Sequence, residues 1–262
     1  MDTDFGADAA AVERVVGQLS GIGRLGVAFS GGVDSATLLA LAVRALGPDR
    51  VVALLGVSPS LAADERTAAH AVAGHIGVPV VEVATREGER AEYRANGPDR
   101  CFHCKDELFT TIGQEVVQRY RLDRIAYGEN ADDVRRPDRP GARAATRHGV
   151  LRPLADAGMD KAAVRRVARA LGLPCADKPA APCLASRIPH HEPVIPQKLA
   201  QVEAAERALR ELGFTDSRVR HHGEVARVEL PTAELARAVE LREQVRRAVV
   251  GAGFRFAALD LA

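Results

Sequence analysis

Tryptophan is absent from this sequence, and aromatic residues make up only 4% of it. A core built on stacked rings is thereby excluded. Because 47% of the 262 residues are hydrophobic, leucine, valine and alanine must fill that core. No apolar run approaches the roughly 20 residues that a membrane-spanning helix needs. Neither sign of charge is in excess: 36 Lys and Arg against 35 Asp and Glu leave a net charge of +1. That is not the balance of a protein that wraps nucleic acid, although a local basic patch is compatible with it. The N-terminal stretch MDTDFGADAA is acidic and lacks an apolar segment, so no signal peptide is expected. Cysteine is scarce, with four residues. A soluble, cytoplasmic protein is expected, in which these thiols stay reduced and serve better as ligands or nucleophiles than as disulfides.

What is present is an alternation of strand and helix from residue 12 to about 175. The apolar run at 25–29 (LGVAF) is too short for a helix and reads as a buried strand, as do 51–57, 78–83 and 124–128. Helices are expected over 12–19, around Leu38, Leu39, Ala42, Val43 and Leu46, and over 63–76 and 103–120. A further helix over 161–171 is capped by Asp160 and followed by Gly172. Such alternation predicts an α/β fold with a parallel sheet covered on both faces. Residues 135–145 (RRPDRPGARAA) carry Pro, Gly and Arg without periodicity and read as a mobile loop. After a proline-rich stretch at 176–196, the pattern is a helix over 197–212, strands at 218–222 and 225–230, a helix over 232–250 and a strand at 255–259. The division expected is a first domain over 1–185 and a small α+β domain over 186–262.

The first strand runs into Ser30-Gly31-Gly32-Val33-Asp34-Ser35 and then a helix. Glycines let the backbone approach an anion, and the helix start offers unpaired N–H donors and a positive dipole end. Ser30 and Ser35 add hydroxyls. Asp34 cannot itself favour a phosphate, so it reads as a holder of Mg²⁺. The spacing is not the Walker type, since no Lys-Ser/Thr pair follows the glycines. An ordinary glycine-rich turn is the bland alternative. The hexapeptide resembles the signature of the PP-loop ATP pyrophosphatases, which implies cleavage of ATP to AMP and pyrophosphate with adenylylation of a substrate oxygen. Asn130, Asp132 and Asp133 follow the fourth strand at its carboxyl end, where they could position Mg²⁺ or nucleotide, or simply form a turn.

Cys101-Phe-His-Cys104-Lys105 places two thiols one helical turn apart, able to share a metal or cluster or to form a redox pair. A third ligand from Cys183 would give three thiolates, and three cysteines on a four-iron cluster leave one iron open to an extra sulfide. Zinc with His103 or His190 as fourth ligand is the rival site. All of them could instead be small buried hydrophobes, the reading favoured for Cys175. His70, His75 and His148 have no evident partner and read as surface groups.

Several longer segments resemble the LarE family, the ATP-dependent sulfur transferases that help make the nickel-pincer nucleotide cofactor of lactate racemase. They are residues 30–35, 96–109 (NGPDRCFHCKDELF), 128–133 (GENADD), 139–141, 151–172 (LRPLADAGMDKAAVRRVARALG), 177–188 (DKPAAPCLASRI) and 218–230 (RVRHHGEVARVEL). The resemblance implies a Rossmann-like PP-loop domain with a small C-terminal domain. It implies adenylylation of a carboxylate on a pyridinium mononucleotide, replacement of AMP by sulfur, and homo-oligomers, trimeric or hexameric. Some members sacrifice a cysteine sulfur, and others look like cluster enzymes. Having Cys101, Cys104 and Cys183 together puts this chain with the 4Fe-4S kind.

Arg218, Arg220 and His222 alternate along a strand and so share a face, where two guanidiniums suit a phosphate or carboxylate. The resemblance implies that Arg218 and Arg220 contact the substrate phosphate, with Lys105, Ser186, Arg187 and Glu206 nearby. Two rival enzyme classes share the phosphate loop. A tRNA thiolase would be expected to carry a more basic balance or an RNA-binding extension, and an ammonia-using ligase would not need the three cysteines. A non-enzymatic metal-binding module leaves the loop unexplained.

Overall fold

The computed structural model describes residues 3–135 and 140–261. They divide into two compact units. One comprises the residues up to Ser58 together with Ala63–Glu87 and Cys101–Ala181. The other comprises Pro59–Ala62, Gly88–Arg100 and the residues from Pro182 onward.

In the first unit the strands are β1 (Leu25–Ala28), β2 (Val51–Val57), β3 (Val80–Ala84) and β4 (Arg124–Tyr127). They form a parallel sheet in the order β3-β2-β1-β4. Leu25 and Val27 on β1 and Ala53 and Leu54 on β2 are wholly buried. A fully buried Leu or Val contributes roughly 1.5–3 kcal/mol, so burial on both faces rather than strand length holds these short central strands. The helix Val33–Leu46 supplies Leu38, Leu39, Leu41 and Ala42 to one face, all at zero exposure. On the other face Val52, Leu54, Val83, Phe109, Ile112, Val116, Leu122 and Tyr127 share a cluster with Ala144 and Ala145. The α/β class and parallel sheet expected from the sequence are thus present.

The stretch read as a mobile loop is different. Residues 136–139 within it lie outside the described residues, but Pro140–Arg147 is an α-helix. Its buried face is only Gly141, Ala144 and Ala145, so it docks through small side chains and shows no run of large apolar residues. The helix expected from residue 103 begins at Arg100 and runs to Thr111, after which Ile112–Val116 widens into a π turn before Val117–Tyr120. Two of the histidines read as surface groups have acidic partners. The Nε2 of His148 lies 2.9 Å from Asp106, and that of His70 lies 2.8 Å from Glu82.

In the second unit β5 (Arg218–His222), β6 (Val225–Glu229) and β7 (Phe256–Leu259) form a sheet in that order. β5 is antiparallel to β6, and β7 is parallel to it. The helix Pro196–Glu211 buries Leu199, Val202, Ala205 and Leu209. The helix expected over 232–250 is broken at Leu241 (φ −91°, ψ 18°) into Leu235–Glu240 and Arg242–Gly251, after a 3-10 turn at Thr232–Glu234. Among the described residues, no helix is long and apolar enough to cross a membrane.

Candidate active site

The phosphate loop occupies the carboxyl end of β1, where open α/β sheets bind ligands. Gly31 takes φ +73°, and a Cβ there would meet the Ala69 backbone at 2.8 Å. Gly32 is the N-cap of Val33–Leu46 and makes no side-chain cap. The first turn thus takes no side-chain cap from its N-cap residue, which leaves N–H donors for an anion. The loop is tied internally. Ser30 N–H donates to Ser35 Oγ (3.2 Å), Ser35 Oγ donates to Gly32 O (3.0 Å), and the two hydroxyl oxygens lie 3.3 Å apart.

Asp34, read from the sequence as a Mg²⁺ holder, already has two neighbours. Lys161 Nζ forms an ion pair with its Oδ2, and Asn130 Nδ2 donates to its Oδ1 at 3.2 Å. Asn130 is buried, and its own Oδ1 caps the helix Ala131–Val134 by accepting from Asp133 N–H at 3.1 Å. Asp132 Oδ2 accepts from Lys161 N–H at 2.9 Å. The acidic cluster after β4 therefore both turns the chain and sets Lys161 against the phosphate loop. Asp160 caps the helix Lys161–Ala170 as expected, accepting from Ala163 N–H at 2.7 Å.

Gly128 closes this arrangement. A Cβ there would lie 2.6 Å from Ser35 N and 2.7 Å from Asp34 C, both backbone atoms that cannot swing away. Gly128→Ala is expected to displace the first turn of the helix. The cost is about 1–3 kcal/mol of stability, and the KM for ATP rises. Thermal denaturation and ATP titration check this; an unchanged KM with an unchanged melting temperature would contradict it.

The remaining predicted residues fall on both units. Lys105 extends over the Tyr127 ring, with Nζ 4.7 Å from the centroid. Burial first, and then the Glu129 carboxylate, push the Tyr127 phenol up from its ordinary value, so the ring stays a neutral platform for the cation. Cys101 is exposed and Cys104 half-buried on the helix Arg100–Thr111. Cys175 is buried, and desolvation raises its thiol pKa, which leaves it an inert packing residue.

In the second unit Cys183 is exposed at the N-cap of the 3-10 turn Leu184–Arg187. Arg187 and Glu206 are both buried and face each other, with Nε to Oε1 at 2.9 Å and Nη2 to Oε2 at 3.3 Å. Arg187 Nη1 donates to Pro182 O (2.6 Å) and Ser186 Oγ (2.9 Å), and Glu206 Oε1 also accepts from Val219 N–H (3.0 Å). Arg187 and Glu206 therefore clamp the Cys183 loop to β5. Arg220 donates through Nε to Glu229 (2.9 Å) and through Nη1 to Ser186 O (2.9 Å), which leaves Nη2 uncommitted among the described residues. Arg218, on the same face, is partly exposed. Lys161, Asn96 and Arg100 were not singled out from the sequence. Asn96 and Arg100 lie at the start of the segment containing the CxxC and bond to the chain after Cys183.

Within either unit, no group of three or more His, Cys, Asp or Glu side chains is gathered as for a metal ion among the described residues.

An ATP-using loop of non-Walker type on a parallel sheet defines a class, and comparison with known proteins agrees. Residues 9–242 match the family described as asparagine synthase, so the chain belongs to that class of PP-loop enzymes. It is 40% identical over 238 residues to the slr1717 protein of Synechocystis sp., covering 90% of this chain and 87% of that one. It is 32% identical over 250 residues to the pyridinium-3,5-bisthiocarboxylic acid mononucleotide synthase of Lactiplantibacillus plantarum, covering 94% of this chain and 89% of that one. The chain belongs to the LarE family and is an ATP-dependent sulfur transferase.

Proposed function

We propose that this enzyme converts carboxylates of a pyridinium dicarboxylate mononucleotide into thiocarboxylates for the nickel-pincer cofactor of lactate racemase. The loop Ser30–Ser35 grips the β- and γ-phosphates of ATP, with Mg²⁺ held at Asp34. A substrate carboxylate oxygen attacks the α-phosphorus, the bond to the bridging oxygen breaks, and pyrophosphate leaves with the electron pair. Sulfur then bonds to the acyl carbon and AMP departs with the C–O electron pair. Arg218 and Arg220 hold the substrate phosphate with Ser186 beside them, Arg187 and Glu206 shape the loop that carries Ser186, and Lys105 is a further group that binds substrate. On this reading residues 1–185 carry the ATP chemistry, while residues 186–262 serve substrate binding and assembly into trimers or hexamers.

The observation that carries the reading is the division of the four thiols. Cys101 and Cys183 are exposed and Cys104 is half-buried, whereas Cys175 is sealed in the core. Thiolates are the donors that a 4Fe-4S cluster takes, and two of these lie one helical turn apart. Cys101, Cys104 and Cys183 would hold it. When bound, it supplies a sulfide at the iron that lacks a protein ligand.

The test is anaerobic reconstitution with iron and sulfide, followed by incubation with ATP, Mg²⁺, excess sulfide and pyridinium-3,5-dicarboxylate mononucleotide. About four irons per chain, a product carrying sulfur, and protein of unchanged mass after several turnovers are expected. Protein lighter by one H₂S would instead mean that a cysteine gives up its own sulfur. Sulfur appearing in tRNA rather than in the nucleotide would overturn the substrate assignment.

A further inference from the structure

The chain that follows Cys183 is held from one side by a buried polar latch. Asn96 is wholly buried and sits at φ +55°, a left-handed conformation that asparagine tolerates better than most residues. Its Nδ2 lies 3.2, 2.7 and 3.0 Å from the carbonyl oxygens of Ile188, Pro189 and Glu192. Its Oδ1 accepts from Arg100 Nη1 at 2.5 Å. The same Nη1 donates to Ala185 O at 2.9 Å, two residues beyond Cys183. The Asn96 carbonyl accepts from His191 N–H at 3.1 Å. Arg100, also buried, is the first residue of the helix that carries Cys101 and Cys104.

A buried network with every member bonded is stiff, and one left incomplete costs about 1–3 kcal/mol per orphaned group. Apolar packing would hold this segment with less risk. The network's particular effect is that it fixes carbonyl directions, and hence the path of the backbone from Ala185 to Glu192. Arg220 holds Ser186 O, and Leu184 N–H donates to Ser60 O at 3.0 Å. The exposed thiol of Cys183 therefore rides on a backbone restrained on several sides.

We propose that Asn96 and Arg100 are positioning residues for the Cys183 thiol, governing sulfur delivery and not ATP activation. This rests on the reading of Cys183 as a sulfur-handling residue. The first variant is Asn96→Gly, since glycine accepts φ +55° and removes only the amide. The second is Arg100→Lys, which keeps the charge and loses the planar fork and so remains informative if the first folds poorly.

Two readouts are needed. One is thiocarboxylate formed per pyrophosphate released in the reconstituted enzyme. The other is the alkylation rate of Cys183, mapped by peptide mass spectrometry in the full iron-free chain, with Cys104 as internal reference. The coupling ratio is expected to fall about tenfold to a hundredfold, the scale of misplacing a reacting group by about an ångström. The KM for ATP stays put, and Cys183 alkylation changes relative to Cys104. A coupling ratio and an alkylation ratio both equal to wild type would overturn the proposal, as would a parallel loss of pyrophosphate release and product. If Cys183→Ser still transfers sulfur, the underlying reading of Cys183 fails, and the alkylation ratio still decides whether the latch positions that thiol.

Discussion

Cys183→Ser is expected to leave ATP activation running while thiocarboxylate formation falls by at least about a thousandfold. Serine is nearly isosteric, and the bonds that fix this loop run through its backbone and through Arg187, Arg100 and Arg220. Loop geometry therefore survives the change. What is lost is the sulfur nucleophile: a thiol ionises far more readily than a hydroxyl and is the stronger ligand and nucleophile. A thiol takes no part in the attack of a carboxylate on the α-phosphorus, so substrate-dependent pyrophosphate release continues and the adenylylated substrate accumulates or hydrolyses. Cys175→Ser is the contrasting control. That thiol is buried and desolvated, so its replacement places a hydroxyl in the core at a cost of about 1–3 kcal/mol while leaving coupling between pyrophosphate and product intact. Pyrophosphate release assays and mass spectrometry of the nucleotide separate the two outcomes. Product formation by Cys183→Ser at a tenth of the wild-type rate or better would remove Cys183 from the sulfur path.

The features legible in the sequence are those that depend on local pattern. β1 and β2 show as short apolar runs because both of their faces are covered, and Asp160 shows as a cap because its acceptor is needed three residues on. The loop at Ser30–Ser35 shows because close backbone approach demands glycine at fixed spacing. Pro140–Arg147 does not show. Its buried face is alanine and glycine, which carry no hydrophobic signal, and it opens on Pro140-Gly141 after the sequence RRPDR, which reads as loop. Leu241 breaks a helix whose apolar pattern continues through the break. The sequence also gives no sign of which polar groups are already committed. Arg187 was expected among groups near the substrate, yet its Nε and both terminal nitrogens are bonded to Glu206, Pro182 and Ser186; it shapes the loop on which a ligand could rest. Asn96 carries no signal of its own in the sequence, because the carbonyls of Ile188, Pro189 and Glu192 that surround its amide lie more than ninety positions away in the chain.

Lys161 is the clearest case of a partner fixed only by the fold, since 127 positions separate it from Asp34. Lys161→Met is expected to lower kcat/KM for pyrophosphate release by about a hundredfold to a thousandfold, the scale of losing one preorganised charge at developing negative charge. The stability change should be small. Asp34 is 23% exposed and Lys161 39%, and solvent screens such a pair to about 0–1 kcal/mol. Two roles for the lysine predict different double mutants. If Lys161 serves only to neutralise Asp34, then Asp34→Asn removes the need for it, and Asp34→Asn/Lys161→Met performs no worse than Asp34→Asn alone. If Lys161 swings from Asp34 onto the phosphates when Mg²⁺ takes the carboxylate, both singles are damaged and the double is worse than either. The geometry favours the second outcome. Asn130 already donates to the other oxygen of Asp34 and is itself held by Asp133, so the carboxylate keeps its orientation when the ammonium leaves. The Lys161 backbone is pinned by Asp132, which leaves only the flexible stem to move. Pyrophosphate release across the four enzymes, at saturating Mg²⁺, gives the coupling energy directly.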